Sequence, residues 1–110
     1  MPSSRDPKEQ EQAEAWLGDA VLALFARQWI LDTLGRTDGE IQGLITSNHF
    51  LSRFGAPTAV EAALGRTWLS SGLEATMDEI SRTLLPEMIR HLRRQRPELT
   101  GKLPALPVTQ

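Results

Sequence analysis

The 110-residue chain has no cysteine, which excludes disulfide bonds and thiolate metal sites alike. A cysteine-free chain agrees with a reducing compartment, and a cytoplasmic location is the expectation. Long apolar runs are also missing. The longest, Ala20 to Ala26, has seven residues, against about 20 for a bilayer span, so no membrane partner is expected. The opening "MPSSRDPKEQEQ" is polar and acidic, unlike the basic-then-apolar form of a signal peptide. Strand signals are scarce: few β-branched residues alternate with polar ones, and no hairpin dipeptide separates two such runs. What is present is a chain 40% hydrophobic and 24% charged, ordinary for a globular protein and long enough for one core. The reading is a single all-α domain over residues 12–97. A polar extension precedes it (1–11) and an extended, proline-containing tail follows (98–110).

Helix punctuation divides the domain. A first long helix is predicted from about Gln12 to Leu34, stopped by Gly35. Its middle is apolar on nearly all sides, which implies burial. "TDGE" has the form of a capping box, with Thr37 as N-cap and Glu40 three residues on, opening a short helix that carries Ile41, Leu44 and Ile45. "SNHF" reads as a turn into another short helix through Leu51 and Phe54, stopped by Gly55. Pro57 suits the first turn of a helix bearing Val60, Leu64 and Trp68 and ending near "SSG", residues 70–72. From Leu73 on, Met77, Ile80, Leu84, Met88 and Leu92 form one apolar stripe, with a kink or break expected at Pro86.

The net charge of −2 conceals an asymmetry. Residues 1–19 hold two basic and five acidic groups, residues 20–81 four and seven, and residues 82–110 six and two. The positive cluster, "RHLRRQRPELTGK", marks Arg90, Arg93, Arg94 and Arg96 as candidate phosphate contacts. A solvated helix end, where cations suit the macrodipole, explains them equally simply.

Two acids stand in apolar settings. Asp19 lies between Gly18 and Ala20, and Glu61 lies in "APTAVEAALG", with Thr58 and Gly65 on its face. Each has a glycine nearby at which two helices could approach closely. Helices crossing there would join the acids into a small anionic site suited to Mg²⁺ or Mn²⁺. Alternatively, each acid forms a salt bridge or faces solvent. Trp16, Phe25 and Trp29 read as core or interface packing, and His49 as a turn residue that caps or bonds locally.

Three segments in order carry a resemblance. "EAWLGDAVL" resembles the signature of the ribonuclease III family, usually "LEFLGDAVL". "GEIQGLITSNHFLSRFG" resembles that family's next segment, and "TAVEAALGRTWLSSGLEA" the one after, close to "DALEALIGALYLDGGLEA". Together they span residues 14–75. The resemblance implies an all-helical endonuclease domain, a homodimer, that cleaves double-stranded RNA with Mg²⁺ or Mn²⁺ held by carboxylates. Asp19 and Glu61 match acids of the outer motifs and would be the catalytic and metal-binding residues. The family's other two acids are replaced by Ala15 and Thr58.

The Mini-III branch, associated with trimming ribosomal RNA precursors, is similar at those positions, with motifs near "AYIGDA" and "TAFEAL". The segment "SRFGAPT" before the second acidic motif is shorter than in active members, so the resemblance is to a minimal version of the domain. It leaves three readings. The first is a metal-dependent endoribonuclease acting on double-stranded RNA. The second is a catalytically inactive protein of the same fold that binds RNA or serves structurally in a ribosome. The third is a helical dimerisation module without RNA.

Overall fold

Asp6 and Pro7 start the first helix five residues before the predicted Gln12. The Asp6 carboxylate accepts from the Glu9 amide at 2.8 Å, and Pro7 occupies the first helical turn. Asp-Pro is an N-cap followed by a residue whose missing N–H costs nothing there. In the computed structural model, which describes residues 5–106, α1 runs Pro7–Leu34, α2 Gly39–Thr46, α3 Asn48–Leu51, α4 Pro57–Thr83 and α5 Leu85–Gln95. A 3₁₀ turn, Pro97–Lys102, follows. No strand occurs among the described residues, so the fold is all-α. No described helix is long and apolar enough to cross a membrane.

Several boundaries differ from the expectations. Asp38 caps α2 in place of Thr37, its carboxylate accepting from the Ile41 amide at 3.0 Å. α3 is a single turn capped by Ser47, so Phe54 lies in the connection after it. α4 is broken at Gly72, whose backbone leaves the helical region at φ 88°, ψ −176°. That is where "SSG" was expected to end one helix and Leu73 to begin the next. The buried Thr76 hydroxyl donates back to the Gly72 carbonyl at 2.8 Å, so its polar group is satisfied within the helix.

The predicted break at Pro86 falls two residues early, at Leu84, because proline is accommodated in the first turn of α5. The tail is not wholly extended. Residues 97–102 coil, and Leu99 and Leu103 are buried in the core. The expected extension and tail lie partly outside the described residues, at 1–4 and 107–110.

The core stripe holds: Ile80, Leu84, Met88 and Leu92 are all buried, against Leu22, Ile45 and Phe50 from the first half. The first helix departs from expectation. Val21, Leu22, Phe25 and Ala26 are buried, but Ala20 and Leu24 are exposed, so its apolar run serves two opposite faces.

α1 and α4 make the dominant pairing, and they touch backbone to backbone. A Cβ on Gly18 would lie 1.8 Å from the Glu61 carbonyl oxygen. A Cβ on Gly65 would lie 1.9 Å from the Glu14 carbonyl oxygen. Glu14 and Gly18 are one turn apart, as are Glu61 and Gly65, so the helices cross antiparallel with each glycine under the other helix's carbonyl. Arg66 clamps the crossing from one side, donating to Glu14 at 3.1 Å.

Gly18→Ala and Gly65→Ala should each destabilise the chain by more than about 3 kcal/mol, the upper range for overpacking, because backbone cannot yield as a side chain can. Gly43→Ala, in a helix position where an added Cβ meets nothing within 4 Å, should instead stabilise by about 0.5–1 kcal/mol. Urea unfolding of the three variants beside wild type checks both signs.

Candidate functional site

Asp19 follows Gly18, and Glu61 bears the carbonyl on which Gly18 rests. Close approach of the two backbones therefore brings the two side chains to the same edge of the crossing. Their carboxyl groups are near enough to share a hydrogen bond. They face an open pocket of about 410 Å³, lined also by Gln12, Ala15, Trp16, Asn48 and Thr58. Asp19 is exposed and Glu61 half-buried, so neither is sealed in the interior as the sequence setting suggested.

The electrostatics are those of two like groups at short range. Burial pushes the Glu61 carboxyl up to about 7, aided by the hydrogen bond to Asp19 and by the Asp19 charge. At neutral pH the pair holds its second negative charge only reluctantly. Glu14, the third acid of this helix segment, is turned away to Arg66 and cannot contribute. No group of three or more potential His, Cys, Asp or Glu metal ligands occurs among the described residues.

Asp19 and Glu61, with Thr58, Asn48 and Gln12, line one solvent-open pocket. All can offer oxygen, and neither imidazole nor sulfur is among them. Mg²⁺ and Mn²⁺ favour oxygen donors, and Mg²⁺ is commonly held by one or two carboxylates with water completing its shell. The residues fit such an ion. Asn48 and Gln12 were not singled out from the sequence. Asn48 is recognisable there as the residue after an N-cap serine, but nothing in its spacing says which helix pair it faces.

The other sequence candidates lie elsewhere. None of Arg90, Arg93, Arg94 and Arg96 lines the carboxylate pocket. Arg90 pairs with Glu87, Arg93 donates to the Pro104 carbonyl at 2.9 Å, and Arg96 holds Glu98 and Glu40 at 2.6 and 3.0 Å. Arg94 alone has no hydrogen-bond or ion-pair partner among the described residues. Phe25 is buried and Trp29 packs against the core. Trp16 is 78% exposed at the pocket rim and is no part of the core. His49 lies in the single turn of α3 and is exposed.

Comparison with known proteins returned no matching family model, no matching curated protein and no matching solved structure.

A raised Glu61 pKa has a definite linkage sign. Between about 4.5, its ordinary value, and about 7, the folded chain binds more protons at this group than the unfolded chain. Its contribution to stability is therefore full below pH 4.5 and is lost as pH rises through 7. In EDTA, Glu61→Gln should melt higher than wild type at pH 8, and the difference should shrink toward pH 4.5. Paired thermal melts across that range check it, since the difference between the two chains isolates this one group.

Proposed function

We propose that the chain is a metal-dependent endoribonuclease of the ribonuclease III type, acting on double-stranded RNA. The observation that carries this reading is the meeting of Asp19 and Glu61 at the α1–α4 crossing, in one solvent-open, oxygen-lined pocket. These are the two acids that the resembling motifs supply. Asp19 and Glu61 would hold Mg²⁺ or Mn²⁺, with Thr58 and Asn48 at the rim. Bound there, the cation supplies Lewis acidity and countercharge for phosphodiester hydrolysis. The carboxylates would fix its position, with Asp19, the more exposed, on the solvent side. The open pocket admits a backbone phosphate without a base, which suits recognition by duplex shape and 2′-hydroxyls, ribosomal RNA precursors included.

An inactive, RNA-binding or ribosome-associated relative is the second reading. It is favoured by Ala15 and Thr58 at the pocket wall, which leave two acids, and by the internal engagement of three of the four C-terminal arginines.

With Mg²⁺ or Mn²⁺, wild-type chain should cut a perfect RNA duplex, and Asp19→Asn and Glu61→Gln should each abolish cutting. Millimolar Mn²⁺ should also raise the melting temperature of wild type and not of Asp19→Asn. Duplex binding without cutting selects the second reading; neither binding nor cutting leaves the dimerisation module.

The proposal includes a homodimer. Trp16, Leu24 and Leu31 stand exposed along one side of α1, and Trp68, Leu69 and Leu73 around the break in α4. Between them lies an apolar groove of about 300 Å³, lined by Leu17, Ala20, Val21, Leu24, Trp68 and Leu73. Large side chains clustered this way mark an interaction surface. Sedimentation should give a dimer for wild type and a folded monomer for Leu24→Glu, whose side chain already faces water in the single chain.

A further inference from the structure

His91 is the one buried histidine, 2% exposed on α5, and it plays no part in the site above. Its Nδ1 lies 3.1 Å from Nη2 of Arg53. A guanidinium only donates, so Nδ1 must accept and the ring proton must sit on Nε2. Arg53 belongs to the short connection between α3 and α4. Its guanidinium is held three ways: by His91, by Glu87 at 3.7 Å, and over the Phe50 ring at 5.8 Å from its centroid. His91 in turn stacks at a tilt on Phe50, 5.5 Å between centroids.

We propose that His91 and Arg53 form a proton-operated latch, closed when His91 is neutral, that fastens the α3–α4 connection to α5. A second proton on His91 would have to sit on Nδ1, placing an N–H against the Arg53 N–H with a cation on each side. The bond cannot survive that step, and Arg53 must swing out toward Glu87 and solvent.

The groups around His91 make the open direction clear. From α3 and its connection come His49, at 6.4 Å between ring centroids, and Arg53. From α5 come Glu87, already shared by Arg53 and Arg90, and Arg94, which repels a charged imidazole. From α2 comes Glu40, bordering the same opening as His49 and His91 but paired with Arg96. No unengaged carboxylate faces His91 to hold it charged. Burial, then Arg53, Arg94 and His49, accordingly lower its pKa below the ordinary 6.5. Nδ1, the site of the second proton, is covered by the Arg53 guanidinium, so the proton is taken up as Arg53 swings away.

The linkage sign follows. The latched form holds His91 neutral, while the released form has a pKa near 6.5. Opening is thus favoured as pH falls below about 6.5, by up to about tenfold per pH unit, and levels off once pH passes the latched pKa.

The test uses the full chain and two readouts. Imidazole ¹⁵N shifts should show His91 at pH 7 as the Nε2–H tautomer; an Nδ1–H tautomer overturns the latch. Amide exchange over residues 48–56, corrected for the intrinsic rate, should quicken between pH 6.5 and 5 in wild type. In His91→Asn, which keeps an acceptor for Arg53 but cannot titrate, that quickening should vanish. Arg53→Met should exchange fast at both pH values and raise the His91 pKa toward 6.5. Equal pH-driven quickening in wild type and His91→Asn would assign the effect to another group and sink the proposal, as would unchanged exchange in wild type.

Discussion

Everything that positions the candidate site depends on two glycines seated under two carbonyls. Ordinary helix pairs are held 8–10 Å apart by their side chains. α1 and α4 have none at the point of crossing, because Gly18 and Gly65 remove them reciprocally. The contact is antiparallel and its register is fixed: Glu14 over Gly65, Glu61 over Gly18. Sliding either helix by one residue would set a Cβ into a backbone carbonyl. The same register decides which residues flank the crossing. Asp19 and Glu61 fall on one edge, Glu14 and Arg66 on the other. Three acids are thus sorted by geometry into one neutralised by a cation and two left facing each other.

That sorting has an electrostatic consequence. Two carboxyl groups this close cannot both ionise cheaply, and Glu61, the more buried, carries the shift. A fold selected for stability alone would separate them or supply an arginine. The only arginine at the crossing among the described residues, Arg66, is taken by Glu14, while Arg96 ties α2 to the 3₁₀ turn and Arg93 ties α5 to the tail. The charge asymmetry in the sequence therefore has a structural outlet: the positive C-terminal segment clasps its own neighbours. In the proposed nuclease the strain at Asp19 and Glu61 is relieved by a divalent cation, for which the pair is pre-formed.

How much of this was legible follows from the length scale of each signal. Short-range punctuation read well: Gly35, Pro57 and the Gly72 break all act within a turn of where they stand. The glycine beside each acid was also legible as a point of close approach, since only two helices in contact make use of a missing Cβ. Cap choice was less so. Thr37 was expected to cap α2, but the adjacent Asp38 does so and also accepts from Arg36. Asp6-Pro7 starts α1 ahead of the apolar pattern, so periodicity alone places the start several residues late. Asn48 and the Arg53–His91 bond were beyond reach, for they join residues up to 38 positions apart whose spacing carries no period.

The apolar run after Asp19 taught the most. Seven successive apolar residues imply burial on every side only if one chain must do the burying. Val21, Leu22, Phe25 and Ala26 fill the core, whereas Trp16, Ala20 and Leu24 repeat every four residues along the opposite face. A helix apolar on two sides and wet on one of them is costly for a lone monomer, and α4 matches it with Trp68, Leu69 and Leu73. Asp19 sits at the seam, one residue from the crossing glycine and one from the exposed stripe. In the proposed dimer a second copy would cover that stripe and border the carboxylate pocket through Trp16. The site would then be finished by association, with desolvation at its rim raising the affinity of the acid pair for a cation. In that reading one helix would serve core, site and interface, and the two-sided apolar run from Ala20 to Ala26 would follow from that triple use.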